Sequence, residues 1–153
     1  MRAGIGQYER CNENDSSCYL GGILFSGGSG DDSKVTEDDI LINCIADALL
    51  GAACMGGLNN YLKNQNGKST DILSKIERDI HYQGYKISNI DVSVITSLPE
   101  KEEKVNKIHS NLITMLFLKP DQLNIKFQQN ESSDLQNSNK IKLIAIALLE
   151  NRS

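Results

Sequence analysis

Tryptophan is absent from this sequence, and aromatic residues make up only 5% of its 153 positions. A core built here must be aliphatic, assembled from Ile, Leu and Val rather than from stacked rings. No apolar run is long enough to span a bilayer, so no membrane partner is expected. The start of the chain lacks the charged-then-apolar pattern of a secretory leader. The expected location is the cytoplasm, or the plastid stroma if a transit peptide has been removed. Positive charge is also short, with 16 Lys and Arg against 20 Asp and Glu for a net charge of −4. A general nucleic-acid binder would carry a basic face, so no nucleic-acid partner is expected either.

The usual chemical signatures are missing too. Cys11, Cys18, Cys44 and Cys54 show no Cys-x-x-Cys spacing, which argues against a structural zinc site and for reduced thiols in a cytoplasm-like compartment. There is no Gly-x-Ser-x-Gly and no His-Glu-x-x-His. The segment SGGSGDDSK (26–34) lacks the Lys-Ser/Thr ending of a phosphate loop and reads as a flexible linker. His81 and His109 are the only histidines. Neither has a carboxylate or cysteine at ligand spacing, so both read as surface or boundary residues.

What is present is periodicity. The length suits a single domain, 1–153, with room for a real core. MRAGIGQYER opens as an edge strand carrying two glycines, Gly4 and Gly6. CYLGGILF (18–25) reads as a short strand with a bulge at its glycine pair. The strongest helix spans 38–55, with Ile40, Leu41, Cys44, Ile45, Ala48, Leu49 and Ala52 at helical spacing. Asp38 and Asp39 favour its positive end, and Gly56 and Gly57 are expected to stop it. A second helix spans 69–84 and a third, opened by Pro99, spans 100–118. Strands are expected at 86–96, 123–128 and 140–149. This order fits an α+β fold, a two-layer sandwich of mostly one mixed sheet with helices on one face.

Five segments carry more than periodicity. The opening M-R-x-G-x-G, DALLGAA (47–53), NIDVSVI (89–95), LNIK (123–126) and AIALL (145–149) together resemble the 2-C-methyl-D-erythritol 2,4-cyclodiphosphate synthase family. The resemblance implies a homotrimer with sites between subunits, a central apolar channel, and a place in the non-mevalonate route to isoprenoids. It also implies a CMP-releasing intramolecular phosphoryl transfer, which depends on positioning and on neutralising spread negative charge. In that family an Asp-x-His pair and a second His hold zinc, and a Glu after Thr-Thr holds a further divalent cation.

Matched position by position, this chain departs from the pattern. The zinc-ligand positions fall on Tyr8, Arg10 and Asn43. The His-Ser of the mobile loop falls on Val35 and Thr36, and the Asp-x-Gly that grips the sugar alcohol falls on Gly57 and Asn59. A Lys near the cytidine pocket is Glu100, and the Thr-Thr pair is Gln129 and Asn130, although Glu131 remains. Scaffold positions are kept at Gly4, Gly6, Asp47, Gly51, Asp91 and Pro99.

The resulting expectation is a catalytically inactive family member with no family zinc, forming a homotrimer or a mixed trimer with an active paralogue. Residual ligand contacts, to a nucleotide or diphosphate at the subunit interface, would fall to Tyr8, Asn43, Asn59, Gln129 and Asn130. The alternative is a working, zinc-independent synthase in which Arg10 neutralises the diphosphate and Glu131 holds one divalent cation.

Overall fold

A computed structural model describes residues 1–11, 18–24, 39–63, 69–96, 102–129 and 140–153. In chain order it contains β1 (Arg2–Cys11), β2 (Tyr19–Leu20), β3 (Ile23–Leu24), α1 (Ile40–Ala52), α2 (Leu58–Leu62), α3 (Ser69–Tyr82), β4 (Tyr85–Thr96), α4 (Glu102–Met115), β5 (Leu123–Gln129) and β6 (Lys140–Asn151). A 3-10 turn at Pro120–Gln122 leads into β5.

Four strands form one sheet in the order β1-β6-β4-β5. β6 runs antiparallel to both its neighbours, whereas β4 and β5 are parallel. A parallel pair needs a crossover, and α4 supplies it. The α+β, two-layer reading holds. Alternation decides which face is covered: Ile141, Leu143, Ala145, Ala147 and Leu149 of β6 are all buried under the helices. The other face has no such cover. There Ile5 and Ile146 sit opposite each other in register and are 63% and 51% exposed.

The covered layer is organised by α1, ten of whose 13 residues are buried. It lies between the β1–β6 half of the sheet on one side and α3 on the other. Glycine on β1 is what lets it lie so close. A Cβ on Gly4 would run into the Ala48 carbonyl oxygen and the Ala52 amide nitrogen, and one on Gly6 into the Cys44 carbonyl oxygen. These are backbone atoms of α1, which cannot rotate away as a side chain can.

The ends of α1 differ from expectation. Asp39 precedes the helix rather than forming its first turn, and acts as its N-cap. One Asp39 oxygen accepts from the Ile42 and Gly21 amides at 3.0 Å each, and the other from the Gly22 amide at 2.7 Å. At the other end, Gly56 and Gly57 do not stop the helix. Cys54 takes the left-handed position with φ 59°, and the Met55 amide donates back to the Leu50 carbonyl at 2.9 Å, the usual geometry for closing a helix. The third helix likewise ends at Met115, short of 118, with Phe117 in the left-handed position at φ 54°.

Two further corrections concern short elements. Residues 19–24 form a hairpin of β2 and β3, in place of the one bulged strand expected over 18–25. Gly21 and Gly22 have φ of 61° and 83°, and two successive positive values define the tight turn that matches strand twist. Helix α2, five residues long, had no periodicity to announce it. Positions 97–101, including Pro99 and Glu100, lie outside the described residues.

The close approach yields a direct test. Gly6→Ala should destabilise the fold by about 3 kcal/mol, the upper end for overpacking, because the obstruction is backbone. Differential scanning calorimetry should show a drop in Tm of roughly 6–12 °C. An unchanged Tm would mean that α1 does not depend on this glycine.

Candidate functional site

The site is built where β1 ends beside the first turns of α1. Even-numbered residues of β1 point toward the helices, so Tyr8 and Arg10 share the covered face while Gln7 and Glu9 face outward. Opposite them, Asn43 stands in the first turn of α1, its amide held by the Asp39 carbonyl at 2.9 Å. The three positions thus sit on two facing elements whose separation is set by Gly6.

Each replacement has settled into its surroundings. Arg10 lies against the Cys18 thiol, within hydrogen-bonding reach, and the Asp39 carboxylate acts on the same thiol. Tyr8 is half-buried against the core. Burial first, then the nearby Asp47 and Cys44, push its phenol above the ordinary value of 10.0. Tyr8 therefore stays neutral at physiological pH.

Asp47, a retained scaffold residue, has a visible task. Its Oδ1 accepts from the Leu58 amide at 2.9 Å, capping α2, whose own N-cap residue Gly57 offers no side chain. Helix α2 is too short to hold itself together, and Tyr61 secures it further by donating to Asp79 at 2.6 Å. Asn59 is exposed on that helix, next to the residue that Asp47 caps. The neighbourhood of Tyr8 and Asp47 therefore includes the segment that carries Asn59.

Gln129 is not brought to the same place. It is exposed at the end of β5, paired in register with Thr96, on the edge strand opposite β1. Two strands intervene, which separates the edges by about 14 Å at ordinary strand spacing. Val35, Thr36, Asn130 and Glu131 lie outside the described residues.

A zinc ion does not fit the residues present at the three family positions. A neutral phenol, a guanidinium and a carboxamide are not a zinc donor set. The nearby cysteines do not make up the deficit. Burial pushes the Cys18 thiol up to about 11 and the Cys44 thiol up to about 12, so neither is a thiolate near neutral pH. Among the described residues no three His, Cys, Asp or Glu side chains converge. What remains is a cation, a phenol and an amide near one buried carboxylate, Asp39, and one half-buried one, Asp47. Such a group can hold a polar ligand, and it contains no evident general base aimed at open space.

Sequence reasoning singled out Tyr8, Arg10 and Asn43 but missed Cys18, the residue Arg10 rests on. No local pattern signals that 18 comes to lie beside 10. The histidines proved structural or superficial. His109 donates from Nε2 toward the Pro120 and Leu123 carbonyls at 3.1 and 2.9 Å, while His81 is exposed.

Fold and site together define an α+β domain built on the cyclodiphosphate synthase plan. The structure superposes on a 2C-methyl-D-erythritol-2,4-cyclodiphosphate synthase in its CDP-bound form with a TM-score of 0.81 at 19% identity, covering 97% of this chain and 100% of that one. The corresponding figures for IspF of Plasmodium falciparum in complex with CDP are 0.77, 23%, 99% and 97%. In sequence, the chain is 31% identical to the 2-C-methyl-D-erythritol 2,4-cyclodiphosphate synthase of Clostridium botulinum strain Okra, covering 98% of this chain and all of the relative. A relative of the same name from Chlorobium phaeobacteroides is 26% identical over 86% of this chain and 85% of its own length. The YgbB family model matches residues 1–150, and the chain belongs to that family.

The buried thiols give a test of the site as described. Iodoacetamide at pH 8 should alkylate exposed Cys54 well before Cys18 or Cys44 in the folded protein. Peptide mass spectrometry reads the order. Early labelling of Cys18 would mean that the Arg10–Cys18 contact is open in solution.

Proposed function

We propose that this YgbB-family chain has lost the zinc-dependent cyclodiphosphate synthase reaction and serves as a binding or structural subunit of a trimer. The observation that carries this reading is the fate of the three family zinc positions. Tyr8 is a neutral, half-buried phenol, Arg10 lies against Cys18, and Asn43 offers only an amide. Losing a metal that clamps two phosphates removes several kcal/mol of transition-state stabilisation, enough to slow turnover by orders of magnitude. The old cleft keeps polar groups suited to a nucleotide or diphosphate held without turnover.

The alternative, a rebuilt synthase using Arg10 and Glu131, requires Arg10 to leave Cys18 and reach a diphosphate. The decisive assay is CMP release from the family's cytidine diphosphate-linked substrate, with zinc content measured on the same preparation. The expected result is no release above background and no stoichiometric zinc. A triple variant, Tyr8→Asp, Arg10→His and Asn43→His, is expected to gain zinc, because the scaffold that spaced the ligands is intact. Turnover by the unmodified chain would overturn the proposal.

The subunit surface for this assembly is the uncovered face of the sheet. Ile5 and Ile146 form an exposed apolar pair there, with Ile144 and Leu148 beside them on β6. Charges frame the patch, including the Lys126–Asp91 pair at 2.8 Å and the Lys140–Glu9 pair at 3.7 Å. Apolar centre and polar rim is the anatomy of a subunit contact. Light scattering coupled to size exclusion should report a trimer for the unmodified chain and a monomer for Ile146→Asp. A monomeric unmodified chain at micromolar concentration would sink this assignment. Native mass spectrometry of protein from its own cells would distinguish a homotrimer from one shared with an active paralogue.

A further inference from the structure

At the opposite end of the sheet from Tyr8 and Arg10 lies a hollow that the proposed function does not use. It is a cavity of about 470 Å³ lined by Glu77, Arg78, His81, Tyr82, Phe117 and Arg152. A second hollow of about 380 Å³ continues from it toward Lys86 and Lys119, sharing Glu77, His81 and Phe117. Together they fall in the size range of small-molecule sites. Lys86 is the second residue of β4 and Thr96 its last; ten residue steps of strand put the two about 33 Å apart.

Cations at this place have an ordinary explanation. Arg78 and His81 lie in the last turns of α3, and Arg152 donates from Nη1 to the His81 carbonyl at 3.2 Å, where the helix end is negative. That explanation does not extend to the rings. Tyr82 is 93% exposed and Phe117 is 76% exposed, in a chain with few aromatic residues to spare. Phe117 also holds φ at 54° in the left-handed position closing α4, where glycine is the usual occupant. Its turn is nevertheless well formed, with the Leu118 amide donating to the Ile113 carbonyl at 2.9 Å. An aromatic side chain is therefore held outward, at a backbone cost, over a hollow carrying two guanidinium groups. Strain of this kind collects at functional sites.

The geometry points to a binding site for a small phosphate ester with a planar ring, its phosphate on Arg78 and Arg152 and its ring against Phe117. Guanidinium groups match phosphate oxygens in planar, charge-assisted pairs, and an exposed aromatic face stacks a ring of any sequence or substituent. Glu77 lines both hollows, and Glu150, which lines the second, is paired with Lys86 at 3.0 Å. Burial raises the Glu77 carboxyl above the ordinary value of 4.5, against the pull of His81 and Arg78, which eases its protonation beside an anion. This proposal stands apart from the reading of the Tyr8–Arg10 cleft.

The experiment titrates the full chain with AMP, phenyl phosphate and inorganic phosphate, following amide resonances. The ring-bearing esters should bind about tenfold more tightly than inorganic phosphate, the scale of one stacked ring. Shifts should centre on Arg78, His81 and Arg152. Phe117→Gly should abolish the ring preference and raise Tm by roughly 2–4 °C by relieving the left-handed strain, which separates lost binding from lost folding. Arg78→Ala should weaken all three ligands. Equal affinity for esters and inorganic phosphate would overturn the site, as would a ring preference retained by Phe117→Gly. Shifts centred on Tyr8 and Arg10 instead would assign the ligand to the other cleft and likewise overturn it.

Discussion

The close seating of α1 on β1 is the contact on which the rest of this structure depends. It is possible only because Gly4 and Gly6 present no side chain to the Cys44 and Ala48 carbonyls. Once α1 is seated, its outer side is available to α3, and its first turn comes level with the tip of β1. Asp39 then serves two elements at once, capping α1 and holding the Gly21–Gly22 turn through both its oxygens. A single separation, that between β1 and α1, sets the helical layer, the hairpin and the cleft together. A side chain at either glycine would disturb all three. The constraint belongs to the fold, and it persists whatever stands at positions 8, 10 and 43.

That separation lets positions 8, 10 and 43 hold other residues without the scaffold failing. The cleft is bordered by two carboxylates with structural duties, Asp39 as cap of α1 and Asp47 as cap of α2. Neither can be removed without exposing backbone amides that need an acceptor. Arg10 places its fixed charge against the Cys18 thiol, on which the Asp39 carboxylate also acts. Tyr8 fills volume with a ring whose hydroxyl remains neutral. Both replacements answer the packing and charge of the hole, and neither answers the requirement of a metal for small, basic donor atoms.

Much of the fold was legible because it rests on periodicity. The inward alternation of Ile90, Val92 and Val94 on β4, and the helical spacing in α1, come from burial on one face and survive any loop geometry. What was illegible depended on contacts distant in sequence. The left-handed residue at the end of α1 is Cys54, although Gly56 and Gly57 stood two and three residues on, since packing of Met55 chose the closing turn over glycine preference. Helix α2 owes its start to Asp47, eleven positions earlier. In the cleft, the identity of positions 8, 10 and 43 was readable from family resemblance. The Arg10–Cys18 contact joins positions that no periodicity pairs, and Gln129 lies on the sheet edge opposite β1 within the one chain.

Among the described residues, and Met1 at the start of the chain aside, the large exposed apolar side chains divide into two sets with different physics. Ile5 and Ile146 are aliphatic, neighbouring and flat on a sheet face, the shape that another sheet can cover over a wide area. Tyr82 and Phe117 are aromatic, stand at helix ends, and border a hollow with arginines, the shape that suits a small planar anion. The sheet itself separates these two duties. Its central strand β6 is hydrogen-bonded on both sides, to β1 and to β4, along most of its length. It reaches from Lys140, beside the tip of β1, to Asn151, next to Arg152 of the hollow. Signalling along such a strand would need an element with two discrete arrangements, and a strand bonded along both edges is poorly suited to supply one. The cleft and the hollow are therefore best understood as independent sites on one rigid sheet.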